Sequence, residues 1–454
     1  MSIPGLGQSP AQPTASSTRT ITLKPAWEWR FGVPTDRSVT VKLVSGTADK
    51  EGVELAPRTA YTLTGTRSSI LTWTGCEVEV EGRCDDDFVA QYAHPAASPA
   101  NAHLSLHSCL ADMRAAAARL GREGPRILIA GPPSAGKTTL ARTLTSYATR
   151  QGHQPVVVNA DPRQGMLSLP GTLSTAVFAT VMDPEAADVR LLRQLRQLRH
   201  RLVPVKLPLV YYFGRDSAED DADLYRHLVG RIASAVSARL IEDPRVRSAG
   251  VIVDGMRIGE TSTIGIDLIA HVVEELSINV VVVIGSTQIE AELTKRFASV
   301  KTSLGEPIQV VALDRSDGVV ERDESSVEHT GEQIIKEYFF GCARRSLSPH
   351  IQQVDFDSLV IYKVPEDAAY GQNECLVREE PSSVMQHWTL AVMHASTRDG
   401  PEAVRTASVM GFVYVSAVNE ERRKIKVLAP VAGRLGDRPL IWGRWPEPYM
   451  NLLG

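Results

Sequence analysis

The stretch Gly131-Pro132-Pro133-Ser134-Ala135-Gly136-Lys137-Thr138 follows G-x-x-x-x-G-K-[ST] without a mismatch. That spacing builds a phosphate-binding loop. Its glycines let backbone N–H groups turn inward around an anion, and a helix starting at its end points a positive pole at the same place. Lys137 is then set to reach the β- and γ-phosphates of a nucleotide, and the Thr138 hydroxyl to hold Mg2+. Such loops also draw a metal-supporting carboxylate from a neighbouring strand end. Asp161 closes Val156-Val157-Val158-Asn159-Ala160, and Asp254 follows Val251-Ile252-Val253. Either carboxylate can lie near the phosphates, since ligands of parallel sheets bind at the carboxyl ends of the strands. Nucleotide binding follows from these residues; hydrolysis or transfer does not.

Loop and carboxylates need an α/β scaffold, and the flanking pattern supplies one. Arg126-Ile127-Leu128-Ile129-Ala130 reads as a buried strand before the loop, and a helix begins after it. Further apolar runs at 156–158, 250–253, 280–284 and 308–311 alternate with helical patterns at 103–120, 223–241 and 264–277. Strands alternating with helices imply a parallel sheet covered on both faces. From 18 to 100 and again from 345 to 454 the pattern is β-like, with short runs of β-formers between turn residues. The expected organisation is therefore a multidomain α/β protein. A tail at 1–17, rich in Pro, Ser, Gly and Gln, precedes an N-terminal β-domain at 18–100. A central P-loop NTPase domain at 101–344 and a C-terminal β-domain at 345–454 follow.

Composition limits the partners. The 454 residues carry 49 Lys+Arg against 53 Asp+Glu, a formal net charge of −4, so the surface as a whole is not that of a nucleic-acid binder. The five cysteines, Cys76, Cys84, Cys109, Cys342 and Cys375, form no Cys-x-x-Cys pair, which argues against a zinc site or a disulfide framework. The first twenty residues lack the apolar segment of a signal peptide, and the apolar runs are too short to span a membrane. A reducing compartment and no membrane association are expected.

Beyond these features, the chain resembles the eukaryotic polynucleotide 5′-hydroxyl kinase family, in particular its fungal pre-mRNA cleavage and polyadenylation factor branch. The resemblance covers about 18 to 454. It rests on Ser45-Gly46-Thr47-Ala48 with Gly52-Val53-Glu54-Leu55, Leu169-Pro170-Gly171, Asp317-Gly318-Val319-Val320, Lys336-Glu337-Tyr338-Phe339-Phe340-Gly341 and Asn419-Glu420-Glu421-Arg422-Arg423-Lys424. It implies ATP with Mg2+ as cofactors. ATP would be held by Glu28 and Arg67 on the adenine side and by Gly131, Ser134, Ala135, Gly136, Lys137, Thr138 and Thr139 on the phosphates, with Thr138 and Asp161 on the metal. Glu28 and Arg67 otherwise read as ordinary surface charges. The resemblance also implies a nuclear location, and as partners other subunits of the cleavage-factor complex, above all the one that contacts RNA polymerase II. RNA would be reached indirectly.

Three places depart from what the resemblance leads one to expect of a working kinase. Active members carry Asp-x-Asp-x-Gly-Gln, where this chain has Asn159-Ala160-Asp161-Pro162-Arg163-Gln164. An amide cannot act as a general base. Active members place a Trp, suited to stacking an acceptor base, where Met256 stands. Their lid holds several arginines, whereas Glu321-Arg322-Asp323-Glu324-Ser325-Ser326-Val327-Glu328-His329 offers only Arg322 against four carboxylates. The expected role is thus an ATP-binding scaffold required for pre-mRNA cleavage, with kinase activity lost. The alternative is an active ATP-dependent RNA 5′-hydroxyl kinase using Asp161, Lys137 and Arg322. Arg190, Arg193, Arg196 and Arg199 form a basic stripe on a leucine-rich helical pattern, either a contact face for RNA or a partner, or a solvated face.

Overall fold

The computed structural model describes residues 18–185, 208–321, 323–342, 345–365 and 376–453. The tail at 1–17, the arginine stripe at 190–199, Arg322 and Cys375 lie outside them. The chain divides into two compact units. The first takes the residues up to Lys50 together with Glu54–Ser98; the second takes Glu51–Val53 and Pro99–Gly454.

The first unit is antiparallel β-structure. Thr18–Leu23 pairs with Cys76–Glu81, which pairs with the long strand Glu28–Gly46, and Ala60–Leu71 and Asp87–Ala90 also pair with that strand. Alternation does the work here. In Cys76–Glu81 every second side chain is buried, so Cys76, Val78 and Val80 join Trp29, Phe31, Val39, Val41 and Leu63 in one core. Trp29 stacks on Phe31 with ring centroids 4.4 Å apart.

The second unit holds two seven-stranded sheets and a two-stranded one, Gly341–Cys342 with Arg345–Ser346. The nucleotide-type sheet runs Leu209–Tyr212, Thr172–Val177, Val156–Asn159, Val251–Asp254, Arg126–Ala130, Val280–Ile284, Gln309–Leu313. The last five are parallel, as expected from the alternating pattern. Thr172–Val177 and Leu209–Tyr212 extend the sheet antiparallel, a feature the sequence reading did not anticipate. No helix intervenes between Asn159 and Thr172, so the chain turns straight back through Leu169-Pro170-Gly171 rather than crossing over.

Successive strand residues feed opposite faces. Leu128, Val253 and Val281 pack with helices Ala222–Glu242 and Thr263–Glu275, whereas Ile127, Ile129, Ile252 and Val282 pack with helices Pro99–Leu120 and Lys137–Arg150. The strands are therefore apolar throughout rather than alternating.

The C-terminal sheet runs His350–Asp355, Lys424–Ala429, Val409–Asn419, Thr389–Met393, Leu440–Trp442, Ile361–Lys363, Val377–Glu379. One face shares a core with Tyr212 and with Tyr338 and Phe339 of helix Glu324–Phe340. Buried Arg405 donates from Nη1 to Tyr212 O at 3.1 Å and from Nη2 to Phe213 O at 2.8 Å, capping the end of an outer strand of the nucleotide-type sheet.

Candidate functional site

Strand register assembles the site. Asp254 pairs with Asn159 on one side and with Ile129 on the other, so Asn159, Asp254 and the start of the phosphate loop share one sheet edge. The loop needs its glycines here. Gly131 has φ 151°, and a Cβ on it would lie 2.7 Å from the Ile284 carbonyl oxygen. Gly136, at φ 95°, caps helix Lys137–Arg150 without a side-chain hydrogen bond, which leaves the first helical N–H groups for an anion. Ser134 also takes a left-handed conformation, at φ 51°. Ala135 is buried and Thr139 is exposed at the helix start.

Lys137 is folded back over the loop. Its Nζ donates to Gly131 O at 3.1 Å and Pro132 O at 2.9 Å. Burial holds its ammonium below the ordinary lysine range, opposed by the nearby Asp161 and Asp254 carboxylates.

Thr138 Oγ1 donates to Asp254 Oδ2 at 2.7 Å and lies 3.2 Å from Gln164 Oε1. Burial pushes the Asp254 carboxyl up to about 7, with the Thr138 hydrogen bond pulling the other way. Its other oxygen, Oδ1, is buried without a hydrogen-bond partner among the described residues. Asp161, the expected metal partner of Thr138, lies one side chain further out: its Oδ2 accepts from Gln164 Nε2 at 3.5 Å. Burial raises its carboxyl too, while Arg257 and Lys137 oppose that shift. A threonine hydroxyl and two buried carboxylates, one of them with an orphaned oxygen, form an oxygen-rich set suited to a hard divalent cation. Asp254, rather than Asp161, touches the hydroxyl directly.

The side of the site at Asn159 is differently built. Asn159 is buried, and its Nδ2 donates to the carbonyls of Asp161 at 3.2 Å and Gln164 at 3.0 Å. The amide holds the loop's shape. Arg163 reaches across the loop to Asp216 Oδ2 at 3.3 Å and pairs with Glu324. Its guanidinium sits 5.7 Å from the Trp445 ring centroid. Met256 is only 1% exposed and belongs to the hydrophobic core, so it offers no stacking face where a tryptophan was the family expectation.

The acidic lid has a structural reason as well. Asp323 caps helix Glu324–Phe340 by accepting from Ser326 N at 2.9 Å, and Glu324 occupies the first turn. Acidic side chains at that end satisfy orphan N–H groups and the helix dipole. Arg322 lies outside the described residues.

Glu28 and Arg67 both lie in the first unit, on paired strands. The Glu28 carboxylate accepts from Arg30 Nε at 3.0 Å, and exposed Arg67 faces Gly32 across the strand pair.

Three family models match the chain in succession. They are the N-terminal beta-sandwich domain of polyadenylation factor over residues 22–117, the mRNA cleavage and polyadenylation factor CLP1 P-loop over 131–341, and pre-mRNA cleavage complex II protein Clp1 over 347–447. The mRNA cleavage and polyadenylation factor CLP1 of Pyricularia oryzae is 50% identical, with 100% of both chains covered. This chain belongs to the fungal CLP1 family. The CLP1 of Chaetomium globosum is 46% identical, again over 100% of both.

Solved structures of a CLP1 relative agree with the fold. One, describing the extended interface between Pcf11p and Clp1p and ATP loss in a glycine-to-arginine mutant, aligns with TM-score 0.82 at 26% identity, covering 95% of this chain and 99% of that one. A wild-type Clp1p–Pcf11p complex gives 0.80 at 26% identity, covering 95% and 98%. Multiple β-domains around a P-loop core are thus the CLP1 architecture, and the chain's place is in mRNA cleavage and polyadenylation.

Sequence reasoning missed Arg257, Asp216 and Trp445 at this site. Arg257 was findable, since it follows the Asp254 strand end by three residues. Asp216 and Trp445 are distant in sequence and reach the site only through the antiparallel extension and the C-terminal segment.

Proposed function

We propose that this CLP1 member is the ATP-holding structural subunit of a nuclear pre-mRNA cleavage and polyadenylation complex, and that it binds a Pcf11-like subunit that contacts RNA polymerase II. In this reading Gly131, Ser134, Ala135, Gly136, Lys137 and Thr139 cradle the phosphates. Thr138 and Asp254 hold Mg2+ with Asp161 behind them, and Glu28 and Arg67 serve the adenine. Mg2+ would supply charge neutralisation between the phosphates and the two carboxylates. Lys137 exchanges its bonds to two loop carbonyls for phosphate oxygens.

One contrast carries the reading. The phosphate side is complete, while the acceptor side is filled by the chain itself. Arg163 spans Asp216, Glu324 and the Trp445 face; Asn159 is committed to backbone carbonyls; Met256 is in the core. A 5′-hydroxyl substrate has neither a free base at Asn159 nor a stacking platform. The relative described as losing ATP through a point mutation supports ATP as the resident nucleotide.

The test is purified full-length protein, its nucleotide content measured after acid release, then incubated with 5′-hydroxyl RNA and labelled ATP. Retained ATP with no labelled RNA is expected. Phosphorylated RNA that disappears in Lys137→Ala would establish the active kinase instead, with Asp161 as its base.

A further inference from the structure

Lys137 is one fixed cation of the phosphate site, and the described lid residues 321 and 323–329 contain no lysine or arginine. A second cation nevertheless lies at the same sheet edge. Arg257 follows strand Val251–Asp254, and its Nη2 donates to Asp216 O at 3.1 Å, which tethers the outer edge of the guanidinium. The inner edge points the other way. Arg257 Nε lies 3.9 Å from Asp161 Oδ1, beyond hydrogen-bond reach, and this buried N–H has no hydrogen-bond partner among the described residues. A buried charged donor without an acceptor is costly unless a ligand supplies one. Asp161 in turn meets Gln164, and Gln164 meets Thr138, so Arg257 is linked through two side chains to the first turn of the phosphate-loop helix.

Charge balance points the same way. Counted as ionised groups, Lys137, Arg163 and Arg257 balance Asp161, Asp216 and Asp254, and a bound Mg2+ favours the ionised form of the buried carboxylates. Adding Mg2+ leaves two surplus positive charges in a buried site, which calls for a polyanion rather than a neutral ligand. The Lys137 ammonium is held down by burial and, in smaller part, by Arg257, so the two cations feel each other.

We propose that Arg257 is a second phosphate ligand of this site, donating from Nε to the terminal phosphate and making the site selective for a nucleoside triphosphate over the diphosphate. The inference rests on the ATP-holding reading above and adds a residue that supplies, from within the core domain, charge that the acidic lid withholds.

Calorimetric titration of the nucleotide-stripped full-length chain with Mg·ATP and with Mg·ADP tests it, comparing wild type with Arg257→Met and Arg257→Gln. Wild type should prefer the triphosphate. Arg257→Met should weaken ATP about ten- to a hundredfold, the worth of one charge-assisted hydrogen bond, and change ADP by less than about threefold. Equal weakening of both nucleotides would mean that Arg257 only props Asp161 and Asp216, and would overturn the proposal; so would an unchanged preference. If Arg257→Met does not fold, Arg257→Gln, which keeps a donor for Asp216 O, decides in the same way. Wild type that binds neither nucleotide would instead overturn the ATP-holding reading.

Discussion

Thr138 and Asp254, which stand 116 positions apart in sequence, are joined by a 2.7 Å hydrogen bond from Oγ1 to Oδ2. The bond ties the first turn of the phosphate-loop helix to the end of the neighbouring parallel strand. It leaves Asp254 Oδ1 as the buried oxygen free to meet a cation. The oxygen-rich side of this site is therefore built into the sheet, whereas Asn159 and Arg163 lie at the loop that follows the next strand.

Removing Lys137 tests the phosphate side. Its ammonium donates to two loop carbonyls at 3.1 and 2.9 Å, bonds that Lys137→Ala gives up, so the melting temperature of the variant is measured alongside to show that it folds. It should lose ATP affinity by about ten- to a hundredfold, the range for one hydrogen bond to a charged group. Nucleotide released by acid from the purified variant should fall close to background, and binding of the Pcf11-like partner should weaken with it. Unchanged partner affinity would count against ATP as a structural tie.

The pH dependence follows from Asp254. Its carboxyl is raised from an ordinary 3.8 to about 7 by burial, then opposed by Thr138. A raised folded-state value means that the fold favours the protonated form. This contribution to nucleotide-free stability is full below about 4 and is lost as pH rises through about 7. Asp161 shifts in the same direction and adds the same sign. Urea midpoints of nucleotide-free protein should decline from pH 5 to pH 8, and Asp254→Asn should flatten much of that decline. Mg2+ needs the ionised carboxylate, so Mg·ATP affinity should rise over the same interval.

Restoring the acid at position 159 should not restore a kinase. Asn159 Nδ2 lies within hydrogen-bond distance of the backbone carbonyls of Asp161, Gln164 and Thr172, and a carboxylate there has no hydrogen to offer. Asn159→Asp should cost about 1–3 kcal/mol, the penalty for stranding buried polar groups. A lower melting temperature with no labelled RNA is the expected result. Robust phosphorylation by this variant would mean that Asn159 alone silences the site.

Arg163 should act as a latch on the lid helix. Its side chain is 10% exposed and Glu324 is 69% exposed, so the pair by itself is worth at most about 1 kcal/mol. Asp216 and the Trp445 ring add to what Arg163 loses on truncation. Arg163→Gly should raise hydrogen exchange in the first turns of Glu324–Phe340 and leave helix Lys137–Arg150 unchanged. Identical exchange in both helices would show that the lid is held by its core face alone, through Ile334, Ile335, Tyr338 and Phe339.

The chemistry-bearing loop was legible because its requirements are local. Glycine conformations, a strand before and a helix after all lie within one short segment, so Gly131 to Thr138 could be read directly. The parallel strands were legible for a related reason, since double-sided burial leaves continuous apolar runs such as 280–284. Thr172–Val177 and Leu209–Tyr212 carried no comparable signal: their threonines, serine and tyrosines are polar by type yet buried by the sheet around them.

Sequence by itself determined the fold class, the phosphate-loop motif and the presence of an amide at position 159. Only the tertiary structure decided which carboxylate meets Thr138, because Asp254 ends the strand directly beside Arg126–Ala130, whereas Asp161 follows a strand one place further out. It also decided what fills the acceptor side. Arg163, Asp216, Glu324 and Trp445 come from four distant segments, and their meeting depends on how the antiparallel extension, the lid helix and the C-terminal segment pack. Local pattern fixes backbone conformation within a few residues; long-range packing fixes which side chains share a site.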